Sequence, residues 1–246
     1  MNRMTESEIT DYRWQGLYKL GGVTALIIAI LLIGEIVVYA VLPRPATAIE
    51  YFAIFHDNWL AGLLYFDLLG MISYLLFIPT ILALYMALHH TSETAMIVAT
   101  ALFFIGIADF FATNTAFSVL TLSSQYATAK TEAERAMFLT AGQTMVTLFN
   151  ENAFLVSYVI VSAAWAMISA VMLRSTLFSH SIAYAGILAG TTGIAAVILE
   201  HISASTLFIA IALYFVAIVS LFVWAVLVGR RLYQFRAIGT AFMKDR

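Results

Sequence analysis

The chain contains six apolar stretches, each long enough to cross a lipid bilayer as a helix. About 20 consecutive apolar residues span the hydrocarbon core of a bilayer. The stretches lie at 18–42, 59–88, 94–122, 140–173, 181–201 and 205–229. Lipid offers no hydrogen-bond partner to an open backbone, so each stretch is predicted to be a helix. We therefore expect an all-α protein in which six transmembrane helices form one bundle, a single domain over residues 1–246.

Composition separates this chain from soluble proteins. Of its 246 residues, 63% are hydrophobic and 11% are charged, whereas soluble domains carry about 25% charged residues. The absence of cysteine excludes disulfides, thiol nucleophiles and cysteine-based metal sites. A balance of 12 basic and 14 acidic residues gives no reason to expect nucleic acid as a partner. The predicted partner is the lipid bilayer, while the sequence specifies neither a cofactor nor an oligomeric state.

The distribution of Lys and Arg predicts the orientation, because cytoplasmic loops are enriched in these residues. Most of them lie before the first stretch or in the basic tail at 230–246. Both termini are therefore expected in the cytoplasm, with the chain in the plasma membrane. Thr131 and Glu134 form a capping-box pattern that begins a helix, and no breaker follows before 173. Helices 3 and 4 are thus expected to project together on the outer side.

Acidic residues are placed inside the predicted spans with no internal Lys or Arg beside them. In this topology, carboxylates from five helices fall in the outer half of the membrane: Glu35, Asp67, Asp109, Glu151 and Glu200. Tyr74, Asn150 and His201 lie near the same depth. Intramembrane ionisable residues usually face a bundle interior or a water-filled space and indicate function. These eight residues are predicted to line an outward-facing polar cavity that binds a small or amphiphilic ligand or a cation, for transport or for sensing.

Two other readings of the same residues stay open. Carboxylates with His56 or His201 match the composition of a divalent-metal site, so a membrane-embedded, metal-assisted enzyme is one alternative. The sequence contains no HExxH pattern and no pair of His residues at i and i+4, so no metal site and no catalytic residue is assigned. In the third reading the protein is a structural or assembly subunit, whose acids are hydrated near the headgroups or protonated and hydrogen-bonded.

One helix carries a packing motif. Gly186 and Gly190 form a GxxxG pair in the fifth stretch, and small residues at this spacing let two helix backbones approach closely. Packing within the chain is the favoured interpretation, and dimerisation is the alternative.

The segments YRWQGLYKLGGVTALIIAILLIGEIV and LLYFDLLGMISYLLFIPTILALYMALHH resemble a family of bacterial and archaeal multi-span membrane proteins that is described as a domain of unknown function. The resemblance implies a bundle of membrane-spanning helices over most of the chain. It implies no activity and transfers no functional residue to a position in this sequence.

Overall fold

The computed structural model describes residues 14–41, 45 and 47–244, and the side chains of 39–40, 151–154, 204 and 236–244 lie outside that description. The α-helices are α1 (Gln15–Val41), α2 (Ala48–Asp57), α3 (Trp59–Tyr65), α4 (Leu68–Leu88), α5 (Glu93–Thr113), α6 (Ala116–Thr128), α7 (Glu132–Leu148), α8 (Ser157–Met172), α9 (His180–Ile202) and α10 (Leu207–Lys244). A π-helical segment, Phe149–Val156, joins α7 to α8, and a 3₁₀ turn, Ala204–Thr206, precedes α10.

Among the described residues, five helical segments are long and apolar enough to cross a membrane. They are Gln15–Val38, Leu68–Leu88, Glu93–Thr128, His180–Ile202 and Leu207–Phe235. Large apolar side chains on the outside of the bundle remain exposed, including Ile30 at 68% and Phe208 at 81%, as expected for a surface that faces lipid. The described residues therefore form an all-helical membrane protein. Because α8 has only 16 residues, the predicted count of six spans stays a prediction.

Six helices form a closed ring. Going around it, α1 packs on α4, α4 on α5, α5 on α8, α8 on α9, α9 on α10 and α10 on α1. The interior includes an aromatic cluster in which the rings of Phe77, Phe103 and Trp165 meet edge to face, with centroids 5.2 to 5.7 Å apart. Aromatic side chains bury large apolar areas, so this cluster joins α4, α5 and α8 in the core.

The GxxxG pair packs against other helices of the same chain, which agrees with the favoured interpretation. A Cβ atom at Gly186 would meet the Ser169 hydroxyl and the Trp224 ring, and one at Gly190 would meet the Ser162 carbonyl. These partners lie on α8 and α10, so both glycines permit contacts inside the ring. Dimerisation is not needed to explain the motif.

A second, smaller core lies at one end of the ring, between α2, α3, α6 and α7, which we call the cap. Its buried apolar residues are Ala48, Tyr51, Phe52, Phe55, Leu63, Phe66, Phe110, Ala116, Val119, Val146 and Phe149. The Gln143 Oε1 atom accepts a hydrogen bond from the Ala48 N–H at 3.1 Å, and the Ser123 hydroxyl donates to the Phe52 carbonyl at 3.0 Å. Both bonds tie α2 to the hairpin formed by α6 and α7.

One expected helix start is confirmed in the cap, and two of the predicted spans are interrupted next to it. Thr131 and Glu134 form the predicted capping box at the start of α7. The predicted span 59–88 is broken at Asp67, whose backbone is left-handed (φ 60°, ψ 44°). The predicted span 94–122 is interrupted after Thr113, where Asn114 leaves the helical conformation. The prediction that the α6–α7 hairpin lies outside the membrane stays a prediction.

Candidate functional site

A cavity of about 470 Å³ lies inside the helix ring. Its lining residues come from α1, α4, α8, α9 and α10, together with Asp67 and the π-helical segment. They are Leu32, Glu35, Asp67, Gly70, Ser73, Tyr74, Phe77, Asn150, Leu155, Tyr158, Trp165, Ala189, Val197, Glu200, His201, Tyr214, Ala217, Ile218 and Leu221. A cavity of this size is typical of sites that hold a drug-sized molecule.

The lining changes character along the cavity. We define its polar end, next to the cap, by Glu35, Asp67, Asn150, Glu200 and His201, and its apolar end by Phe77, Trp165, Ala189 and Leu221. At the rise of an α-helix, the ten residues from Asp67 to Phe77 span about 15 Å. The cavity is therefore long enough to hold a polar group at one end and an apolar group at the other.

Asp67 lies at the start of α4 and contributes to both the fold and the lining. Its side-chain Oδ1 atom accepts a hydrogen bond from the Gly70 N–H at 3.2 Å and so caps the helix. A Cβ atom at position 70 would overlap this carboxylate, so the absence of a side chain there lets the carboxylate fold back over the first turn. The cap bond holds the Asp67 carboxylate at the polar end.

Glu35 reaches the cavity from α1. The Ser73 hydroxyl donates a hydrogen bond to Glu35 Oε1 at 3.3 Å, which links α1 to α4. One helical position further along α4, the Tyr74 ring lies against Phe110, with centroids 4.7 Å apart. These contacts place an acid, a hydroxyl and a phenol along one side of the cavity.

Glu200 and His201 reach the opposite side from the last turn of α9. The Tyr214 hydroxyl donates a hydrogen bond to Glu200 Oε2 at 2.7 Å, and the Tyr214 ring lies 6.1 Å from that of Tyr158. His201 Nδ1 donates to the Val197 carbonyl at 2.9 Å, since a carbonyl oxygen can only accept. A carboxylate and two phenol rings thus converge where α8, α9 and α10 meet.

The polar triplet Asn150-Glu151-Asn152 lies in the π-helical segment. Asn150 lines the cavity, while the side chains of Glu151 and Asn152 lie outside the described residues. π-helical turns are rare and occur frequently at functional sites. Sequence reasoning identified the triplet but not its backbone conformation.

Asp109 does not lie on the cavity. Its Oδ2 atom is buried and has no hydrogen-bond partner among the described atoms. One turn earlier, a Cβ atom at Gly106 would meet Val161 and the Ser157 carbonyl on α8. The small residue Gly106 beside Asp109 therefore serves close packing of α5 on α8.

Most of the lining residues were not identified from the sequence, among them Ser73, Trp165 and Tyr214. A usable signal existed on α4, where Asp67, Gly70, Tyr74 and Phe77 recur at intervals of three and four residues and so share a helix face. No such signal identified Tyr214, because its partner Glu200 lies on the preceding helix. Among the side chains that the structure describes, no three His, Asp or Glu groups are close enough together to hold one metal ion.

Comparison with known protein families shows a match over most of the chain. The model of a family described as "Domain of unknown function (DUF4386)" matches residues 20–229. No curated protein and no solved structure matches the chain. The family match covers most of the chain, including every lining residue of the cavity, and agrees with the resemblance noted in the sequence.

Proposed function

We propose that this chain, which belongs to the DUF4386 family, binds a small amphiphilic ligand in the cavity inside its helix ring. One observation carries the proposal, namely that the lining passes from polar to apolar over the length of the cavity. The bound ligand would place its polar group among Glu35, Asp67 and Glu200 and its apolar group beside Phe77 and Trp165.

The energetics support an amphiphile over a purely polar molecule. Burying apolar surface is worth about 25 cal/mol per Å², and the apolar end offers that surface. Ionisable side chains within membrane-spanning helices are costly and mark ligand or ion pathways. Glu35 lies inside the candidate span Gln15–Val38, so its position favours a binding role.

The cavity is proposed to open to the outside of the cell. The Lys and Arg distribution favours cytoplasmic termini, and the cap and the polar end then lie on the outer side of a prokaryotic plasma membrane. Ligand would enter beside the cap, either for transport across the membrane or for sensing.

Filling the cavity tests whether it binds ligand. Ala217 lines the cavity on α10 and is 2% exposed, whereas Ala212 is an exposed residue on the same helix. Binding of hexyltrimethylammonium, hexanol and hexanoate would be measured by titration calorimetry in lipid nanodiscs, with empty nanodiscs as the blank. We expect saturable binding of at least one probe to the wild type and to Ala212→Phe, and its loss in Ala217→Phe.

Two results would contradict the proposal. One is the absence of saturable binding to the wild type for all three probes. The other is unchanged binding in a folded Ala217→Phe variant. If that variant does not fold, Ala189→Leu narrows the apolar end instead and carries the same expectations.

Orientation has its own test. The chain has no native cysteine, so single-cysteine variants have no background. Thr128 at the end of α6 and His90 beyond α4 are both exposed and belong to opposite ends of the ring. An impermeant maleimide added to intact cells should label Thr128→Cys and leave His90→Cys unlabelled. Reversed labelling would place the cavity on the cytoplasmic side.

A further inference from the structure

We propose that the ligand of this cavity is an organic cation, an ammonium head group that carries an apolar tail. This inference rests on the proposed function and specifies the chemical class of the ligand. It draws on three properties of the described lining: its charge, its aromatic rings and its size.

The charge of the lining favours a cation. Glu35, Asp67 and Glu200 contribute three carboxylates, and none of the lining residues is Lys or Arg. The hydroxyls that bond to two of these acids are neutral, Ser73 donating to Glu35 and Tyr214 to Glu200. Glu35 and Asp67 are half-buried and Glu200 is exposed. Negative charges that line one cavity stabilise a bound cation and disfavour a bound anion, most strongly at the half-buried pair.

The aromatic side chains favour an ammonium over a strongly hydrated metal ion. Tyr74, Tyr158 and Tyr214 line the cavity between its two ends. The Tyr158 and Tyr214 rings lie 6.1 Å apart, and Tyr214 also contacts the Glu200 carboxylate. Aromatic faces attract organic cations, and quaternary ammonium groups are recognised in this way. A carboxylate beside two rings therefore offers both charge and a face to one head group.

The length of the cavity requires more than a head group. A bare inorganic ion or tetramethylammonium would leave the apolar end beside Phe77 and Leu221 unfilled. Trp165, which is 5% exposed and lines this end, has an indole Nε1 with no hydrogen-bond partner among the described atoms. An oxygen in the tail of the ligand could accept a hydrogen bond from it. The tail is thus apolar with room for a single neutral acceptor.

Probes matched in tail length separate charge from apolarity. The tails are matched: hexyltrimethylammonium and hexanol carry a hexyl group, and hexanoate has the same number of carbons with the last one in its carboxylate. Tetramethylammonium supplies the head group alone. In nanodiscs of neutral lipid, with empty nanodiscs as the blank, we expect hexyltrimethylammonium to bind about tenfold or more tightly than hexanol. Hexanoate and tetramethylammonium should bind more weakly than either.

Variants identify the carboxylates responsible. Glu200→Gln and Glu35→Gln remove charge while keeping side-chain shape, so each should lower the preference for hexyltrimethylammonium over hexanol. Asp109→Asn is the matched control, because Asp109 is an acid in a spanning helix that does not line the cavity. It should leave the preference unchanged.

The outcomes distinguish this inference from the proposed function. If no probe binds saturably, the binding proposal fails and the inference fails with it. If hexanol or hexanoate binds as tightly as hexyltrimethylammonium, the cavity binds amphiphiles but the cation inference is overturned. It is overturned as well if Asp109→Asn lowers the preference as much as Glu200→Gln and Glu35→Gln do, or if neither of these two lowers it.

Discussion

The Asp67 carboxylate folds back over the first turn of α4 and accepts a hydrogen bond from the Gly70 N–H at 3.2 Å. Among the described residues, Asp67 is the only non-glycine residue with a positive φ angle. The left-handed backbone ends the preceding segment, and the side chain starts the next helix. Asp67 therefore contributes to the break between α3 and α4 and also holds an acid at the polar end of the cavity.

Replacing Asp67 should separate its structural role from its charge. Asn tolerates the left-handed region and is a good helix cap, so Asp67→Asn should change the free energy of unfolding by less than about 0.5 kcal/mol. Leu offers neither property, and Asp67→Leu should cost about 2–3 kcal/mol from the lost cap and the backbone strain. Reversible unfolding of both variants in mixed micelles measures the difference. Equal destabilisation would contradict the capping role.

Gly70 should be coupled energetically to Asp67. A Cβ atom at position 70 would displace the carboxylate, so Gly70→Ala should destabilise the wild type by about 1–2 kcal/mol. In an Asp67→Gly background no carboxylate remains to be displaced, and Gly also adopts the left-handed backbone. The same substitution should then be neutral or slightly stabilising. A double-mutant cycle measures the coupling, and additive effects would show that the two residues act independently.

A second polar contact joins α1 to α4. The fully buried Thr80 hydroxyl lies 2.9 Å from that of Thr24 and donates to the Gly21 carbonyl at 3.0 Å. Thr80→Val keeps the shape and removes these bonds, so it should destabilise the protein by about 0.6–1.7 kcal/mol, the range for hydrogen bonds between membrane helices. Thr80→Ser should recover most of the loss.

The matched control for Thr80 is Thr191. Its hydroxyl is exposed and bonds to the Ile187 carbonyl of its own helix, so Thr191→Val should have little effect on unfolding. If both valine variants were equally destabilised, the contact between α1 and α4 would not explain the result.

Length and apolarity predicted the long helices because a bilayer allows few other structures. They did not predict α2, although its buried residues Ala48, Tyr51, Phe52 and Phe55 recur at helical spacing. This helix has 10 residues and is too short to span a bilayer, so a search for membrane spans does not find it. The π-helical segment Phe149–Val156 could not be predicted, since bonding from residue i to i+5 leaves no distinct pattern of apolar residues.

Depth within the membrane identified candidate acids but not their neighbours. One cavity is lined by Glu35, Asp67 and Glu200, because the packing of the helix ring places all three at its polar end. Asp109 has a similar predicted depth, yet its helix face is occupied by close packing at Gly106. Which face of a helix meets a cavity depends on the packing partners, and a single sequence does not specify those. The binding role of all these residues remains a prediction.

Gly190 should tolerate no side chain. A Cβ atom there would meet the Ser162 carbonyl and the Ala166 side chain of α8, and a backbone carbonyl inside a helix cannot move aside. Gly190→Ala should therefore destabilise the bundle by about 1–3 kcal/mol through overpacking. Nothing lies within 4 Å of a Cβ atom at Gly16, so Gly16→Ala should be neutral or stabilising. Equal effects in thermal unfolding would contradict close packing of α9 on α8.

The stabilisation that the capping box gives to the start of α7 should depend on pH. The Lys130 and Thr131 N–H groups donate to Glu134 Oε2 at 2.8 and 3.1 Å, and these bonds, chiefly the one from Lys130, hold the pKa of the Glu134 carboxyl below its usual range. A group whose pKa is lower in the folded state stabilises that state above the pKa of the unfolded chain. The contribution is lost as the pH falls below the ordinary glutamate range and through the lowered value.

NMR titration of the Glu134 carboxyl and of the Lys130 and Thr131 amides should therefore show one shared transition below that range. In Glu134→Gln, whose amide oxygen can still accept at this position, the two amide signals should show no such transition, and a transition that persists there would assign the titration to another group.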